Sequence, residues 1–266
     1  MSDVTLGTSL NRTLGLARFN WLLMVRNRTT MLYAFVMPLV PLGLLFASGG
    51  DDPDPTSGAA TIGTALFMAL LFPGYYNVLS MFVSRRDEMV LKRLRTGEIR
   101  DLELVASMAL PGAAITLAVA VLTVPIAWAS GLDLPLNPIL LLVAVLLSIV
   151  TFAAFAVWTA AWTKTAESAQ LTSGPVLLLA LAGLMGAALP ESWQRWFDLL
   201  PGAAVLDLTR IAWFAQDAQD GLDGTAGELS FLETWSHAAP SLGVLVAWTA
   251  VAVLLAVRSL RWEPRS

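Results

Sequence analysis

Six stretches of this chain run for at least 18 residues without a single Asp, Glu, Lys, Arg or His: 31–48, 61–84, 106–130, 138–162, 173–190 and 239–257. A helix that crosses the hydrocarbon layer needs about 20 apolar residues, with roughly 17 to 25 acceptable. One charge at mid-bilayer costs about 2.5–3.5 kcal/mol on insertion scales, so six clean runs are a strong constraint. The runs are continuously apolar. They do not alternate at period two, which argues against a membrane β-barrel, and helices are the remaining way to satisfy every backbone group in lipid. The expected fold is therefore all-α and integral to a membrane, with six transmembrane helices. Composition agrees: 14% of residues are charged, against about one quarter in a soluble domain.

Punctuation falls where the spans should end. Ser48-Gly49-Gly50-Asp51-Asp52-Pro53 closes the first run, Gly131-Leu132-Asp133-Leu134-Pro135 separates the third and fourth, and Pro190 ends the fifth. Pro38 and Pro41 lie inside the first run and Pro73-Gly74 midway along the second. A kink is expected at each site, with neighbouring groups or water satisfying the freed carbonyls. The first run begins at Met31 after an Arg-bearing stretch, so it reads as a retained span and not as a cleaved leader.

Orientation follows from the basic residues. With both termini in the cytoplasm, fourteen of the sixteen Lys and Arg lie inside, and only Arg195 and Arg210 lie outside. Twelve of the twenty acidic residues fall on the outer side. The positive-inside rule favours this arrangement, a multi-pass protein of the cell membrane with N and C termini in the cytoplasm.

Three segments outside the runs carry pattern. Residues 1–30 divide from a transmembrane domain over 31–266. Within them, 9–30 read as an amphipathic surface helix, with Leu10, Leu14, Ala17, Trp21, Met24 and Val25 on one face and Arg12 and Arg26 opposite. Leu16, Phe19 and Leu23 break that division; a helix gripped by lipid on one side and protein on another explains them, as does a plain lipid anchor. Residues 85–98 read as a short charged helix between spans two and three, with Val90, Leu91 and Leu94 on one face and Arg85, Glu88, Lys92 and Arg95 on the other. Such a helix either serves the positive-inside rule alone or docks a soluble partner. Residues 191–238 form a long aromatic-rich outer segment, read as short helices that partly re-enter the membrane between spans five and six. Within it, Asp207 and Arg210 are three apart and placed to pair on one helical face. Its acidic residues Asp217, Asp220, Asp223, Glu228 and Glu233 lack the alternating spacing of a calcium loop and read as a solvated acidic turn.

The chain has one histidine, His237, and no cysteine. No cysteine-ligated metal, disulfide or His-based triad is expected, nor any cofactor held by this chain. No G-x-x-x-x-G-K-[ST] phosphate loop is present. Energy for any transport would then come from another chain, with no role for nucleic acid.

Residues 86–95 narrow the choice. Arg86-Asp87-Glu88 followed by Leu91-Lys92-Arg93-Leu94-Arg95 resembles the charged cytoplasmic signature of ATP-binding-cassette (ABC) type-2 exporter permeases of the actinobacterial drug and antibiotic type, approximately R-E-E-G-T-L-K-R-L-R-A-T-P. Met89-Val90 stand where that pattern has Gly-Thr, and Glu98 where it has Pro. Leu200-Pro201 and Leu206-Asp207-Leu208-Thr209-Arg210 resemble the family's outer Pro…Asp-x-x-Arg element.

The resemblance implies a permease subunit that moves a lipophilic or amphipathic substrate out of the cell, paired with a second permease in a homodimer or a homologous heterodimer. It implies a separate ABC ATP-binding subunit carrying ATP and Mg and seated on Arg86, Asp87, Glu88, Val90, Leu91, Lys92, Arg93, Leu94 and Arg95. The pathway it implies lies at the dimer interface, lined by spans two and five, with Phe72, Tyr75, Tyr76, Asn77, Ser80, Met81 and Met185 as candidates. Asn77 and Ser80 read equally as interhelical bonding groups, and Ala182, Gly183, Gly186 and Ala187 as a close-packing stripe. A stand-alone ion-coupled carrier and a non-transport scaffold or immunity protein are the alternatives.

Overall fold

The computed structural model describes residues 6–48, 55–87, 99–165, 167–185, 189–215 and 229–260, and among these every regular element is a helix. In chain order they are α1 (Leu6–Arg26), α2 (Arg28–Ser48), α3 (Pro55–Ala69), a π-helical stretch (Leu70–Tyr76), α4 (Asn77–Asp87), α5 (Asp101–Ala129), α6 (Pro138–Ala160), α7 (Ala169–Thr172), α8 (Gly174–Met185), α9 (Glu191–Phe197), α10 (Pro201–Phe214) and α11 (Glu233–Ser259).

Five helices are long and apolar enough to cross a membrane: Arg28–Ala47, Ser57–Arg86, Asp101–Ala129, Pro138–Ala160 and Glu233–Ser259. The expectation was six. Of the remaining run, 173–190, the described helix is Gly174–Met185, 12 residues long. At 1.5 Å per residue that is about 18 Å, well short of the ~30 Å hydrocarbon layer. Its small-residue continuation through Gly186 and Ala187 lies outside the described residues.

The surface helix and the first span are separate elements. Asn27 divides them and caps α2, its side-chain oxygen accepting from the Thr30 N–H (3.2 Å) and its carbonyl from the Met31 N–H (3.0 Å). The first spanning helix therefore starts at Arg28, three residues before its apolar run.

The second span, formed by α3, the π-helical stretch and α4, is the axis of the bundle. Its most apolar window is 72% buried within the chain, against 22% for the first span and 17% for the last. Pro73 lies in the middle of this axis. It has no N–H to give the carbonyl of Ala69, four residues back. The helix widens to π geometry there, with the Asn77 N–H bonded to the Phe72 carbonyl five residues back. The Ala69 carbonyl instead accepts the Thr116 hydroxyl from α5 at 2.8 Å. The side-chain repair expected from the sequence is thus made by a threonine on the third span.

That bond requires α5 to lie against the widened turn. Gly112 makes the approach possible, since a Cβ built there would sit 2.0 Å from the Pro73 carbonyl oxygen. On the other flank α8 meets α10 in the same way: a Cβ on Gly202 would sit 1.9 Å from the Ala180 carbonyl, and one on Gly183 would sit 2.2 Å from the Ala203 nitrogen. Close backbone approach of this kind is how apolar helices associate where lipid supplies no hydrophobic drive. Phe67, Leu70, Tyr75, Leu79, Phe82, Phe152 and Phe155 fill the centre.

α10 is enclosed by α3, α6, α8 and α11, and its residues Ala204, Val205, Leu208, Ile211, Ala212 and Trp213 are buried. The 130–137 connection locks onto it: the Asn137 N–H bonds the Ala212 carbonyl (2.8 Å) and the Trp213 indole N–H bonds the Asp133 carbonyl (2.9 Å). The Asn137 side chain caps α6 through the Leu140 N–H and donates to Thr234 on α11 (2.8 Å).

Gly112→Ala is expected to lower stability by roughly 1–3 kcal/mol through backbone overpacking. Gly15→Ala, with open space around it, is expected to be neutral or mildly stabilising. Thermal unfolding of the purified protein in detergent checks both.

Candidate functional site

The charged connection between spans two and three is the element the sequence marks most strongly, and the structure describes both of its roots. α4 leads into it through Arg85, Arg86 and the backbone of Asp87, and the chain resumes at Ile99. Glu88, Val90, Leu91, Lys92, Arg93, Leu94 and Arg95 lie outside the described residues.

Arg86 is fully buried, at 0% exposure. Its guanidinium donates to the carbonyl of Ala160 (2.7 Å) and to that of Thr163, at the C-terminal end of α6. The last carbonyls of a helix have no partner within the helix and carry the negative end of its dipole. A permanently charged, forked donor suits that position. It also explains how an arginine can be enclosed at all, because a desolvated cation needs compensating acceptors.

Arg85 reaches a different element. It donates to the side-chain oxygen of Asn20 on α1 (2.5 Å), and its guanidinium lies over the Phe19 ring, 5.2 Å from the centroid. Asn20 in turn donates to the Ser107 carbonyl on α5 (2.9 Å). One buried amide thus ties the surface helix to both roots of the charged connection. Two further polar contacts hold the same helix: the Ser9 hydroxyl donates to the Glu103 carboxylate on α5, and the Asn77 amide donates to the Met24 sulfur (2.9 Å). Glu103 also accepts the Arg100 N–H (3.2 Å) where α5 begins.

α1 is therefore gripped along Ala17, Asn20 and Met24, while Leu10, Leu14, Phe19, Leu22, Leu23 and Val25 are exposed. The face expected from the sequence mixed the two sets: Ala17 and Met24 turn inward, whereas Leu10, Leu14 and Val25 do not. Asn20 was missed, although an amide flanked by Phe19 and Trp21 at the start of the apolar stretch Trp21–Val25 was a visible signal.

The pathway candidates separate into two groups. Tyr75 and Asn77 are buried, with the Tyr75 hydroxyl bonded to Thr159 (3.0 Å) on α6. Phe72, Tyr76 and Met81 are half-buried, and Ser80 and Met185 are exposed. Phe72 stacks between Tyr33 (6.4 Å) and Tyr76 (6.0 Å), and the Tyr76 hydroxyl bonds Ser173 (3.1 Å) just before α8. The aromatic row on the open side of the second span is thus continuous with the first span and with the start of the fifth run.

At the opposite end of the bundle, Asp207 and Arg210 lie half-buried on α10. The Asp207 carboxylate accepts the Ser241 hydroxyl (2.5 Å) and so pins α10 to the last span.

Replacing Asn20 by Ala removes the acceptor of Arg85 and the donor of the Ser107 carbonyl together. The expected cost is about 1–3 kcal/mol, seen as a lower melting temperature and as faster tryptic cleavage after Arg18 and Arg26 of a loosened α1.

A comparison with curated proteins finds no match. A family model described as ABC-2 type transporter matches residues 12–214, a range that holds Ala17, Asn20 and Met24 of α1, both arginines and α10.

Proposed function

The chain belongs to the ABC-2 type transporter family, and we propose that it is the permease subunit of an exporter whose ATPase is a separate cytoplasmic chain seated on the charged connection that follows Arg86, residues 87–98, Arg85 and Arg86 themselves being buried at its root. As a family member with five helices able to cross a membrane, it is a multi-pass transport component and not itself a catalytic domain. The proposed reading adds direction, cargo and partners. A lipophilic or amphipathic substrate moves outward at the interface of two such permeases, past Phe72, Tyr76, Ser80, Met81 and Met185. ATP and Mg belong to the partner. Both termini face the cytoplasm, the fifth run completes a sixth crossing, and α9 and α10 form the outer re-entrant pair.

The observation that carries this reading is the anchoring of the charged connection at both roots. Arg85 and Arg86 before it, and Glu103 and Ser107 after it, are all tied by buried or part-buried polar bonds to neighbouring elements. A connection that served only to orient the chain in the membrane would have no need of such ties. One that receives a push from below would. The aromatic and Met side chains on the open face of the second span suit an uncharged or amphipathic cargo.

Arg93→Glu and Leu94→Asp are each expected to leave the protein inserted while weakening association with the ATPase at least tenfold, as loss of an anchor in a docking groove does. Co-purification and stimulated ATP hydrolysis measure this, and undiminished coupling in both variants would reject the docking role.

Orientation has its own test, made simple by the lack of cysteine. Arg195→Cys is expected to react with a membrane-impermeant thiol reagent on intact cells, and Lys164→Cys only after permeabilisation. The reverse pattern overturns the topology.

A further inference from the structure

Arg85 and Arg86 are neighbours in sequence, yet they bind elements on different sides of the second span, and the two ties differ in kind. Arg85 holds α1 through one amide side chain and an aromatic ring that is itself 52% exposed. Arg86 holds backbone carbonyls, at Ala160 and Thr163, and is sealed from solvent. A side-chain amide has other rotamers to which it can move. A backbone carbonyl at the end of a packed helix cannot, and withdrawing the guanidinium would strand a desolvated cation.

We propose that Arg86 is a positioning residue that makes the base of the second span and the corner joining α6 to α8 a single rigid unit, so that displacement of the charged connection is delivered to the fifth apolar run while the α1 joint yields. The inference rests on the docking reading for the source of the displacement, but the clamp itself does not.

The corner is built to carry such a load. Beyond Thr163 its hydroxyl pairs with that of Thr172 (2.7 Å), which closes the turn that brings α7 back beside the end of α6. Ser173, the next residue, is held by Tyr76 of the second span, and α8 starts at Gly174. Tyr75 adds a bond to Thr159, one residue before the first Arg86 acceptor. Three side chains of the second span, Tyr75, Tyr76 and Arg86, therefore hold the segment from Thr159 to Ser173. Among the described residues, the route from the end of α4 to α8 runs through these three side chains. α8 then bears on α10 at the Gly183 and Gly202 backbones, where no Cβ would fit, so a shift of the second span at its base would bear on α10 as well.

Spin-label distances test the clamp, and the lack of native cysteine permits them directly. The pair Ser84→Cys with Lys164→Cys reports on the second span and the corner. The pair Ser84→Cys with Arg18→Cys reports on the second span and α1. In reconstituted resting protein, the first pair is expected to give one narrow distance. Arg86→Gln should at least double its width, Arg86→Lys should broaden it less, and Arg85→Gln should leave it unchanged while broadening the second pair. With the co-purified ATPase trapped by ATP and vanadate, the second pair should shift and the first should not.

An Arg86→Gln width equal to the parent's, or equal broadening of the first pair by Arg85→Gln, overturns the clamp. So does a nucleotide-driven shift of the first pair as large as that of the second. If Arg86→Gln is not recovered as a monodisperse protein, Arg86→Lys decides by the same criterion. If no ATPase co-purifies, or nucleotide moves neither pair, the docking reading fails, and the resting widths still decide the clamp.

Discussion

The bond from the Thr116 hydroxyl to the Ala69 carbonyl sits at the point on which the bundle depends. A helix that runs through the middle of an apolar assembly has no water to satisfy a broken ladder. Pro73 breaks the ladder of the second span at mid-length, and its ring would clash with the carbonyl behind it in a regular helix. Widening to π geometry removes the clash, and the threonine satisfies the carbonyl. For that to happen the third span must cross within backbone contact, which Gly112 alone permits. The position of α5, and with it the position of the charged connection that α5 resumes, follows from the repair of one proline.

Around this axis the two ends of the bundle are held by different chemistry. At one end, neutral amide and indole groups of Asn137 and Trp213 bond the backbone of the 130–137 connection to α10, α6 and α11. These are short, mutually supporting bonds within a closed turn, and the Asp207 carboxylate is a charged acceptor at the same end. At the other end the fastenings are charged and longer in reach: Arg85 to Asn20, Arg86 to the end of α6, and Ser9 to Glu103. Between them the bundle is held by aromatic packing at Phe67 and Phe152, by hydroxyl bonds such as Thr151 with Thr249 and Thr116 with the Ala69 carbonyl, and by the glycine crossings.

Much of this was legible in the chain. Continuous apolar runs identify spanning helices whatever their neighbours are, because the constraint comes from the solvent and acts on each segment alone. The proline in the second span announced both a distortion and a rescuing group. The small-residue character of Gly183 announced close packing. Other features were hidden for a common reason. α1 looked amphipathic in the usual sense, but its inward face was chosen by Asn20 and Ser9 because partners for them existed on α4 and α5. Arg86 read as part of an exposed charged helix, because nothing in its own neighbourhood shows that the end of α6 lies beside it.

The amino-acid sequence by itself determined that the chain is helical, that it belongs in a membrane and where its apolar segments lie, since these follow from the free energy of moving each segment out of water. It also marked the charged connection by composition. Only the tertiary structure decided which span is the axis, which face of α1 is gripped, and that two adjacent arginines serve different masters. Those outcomes depend on which donors meet which acceptors across the bundle, and in a medium without water every such meeting is set by the packing of the whole.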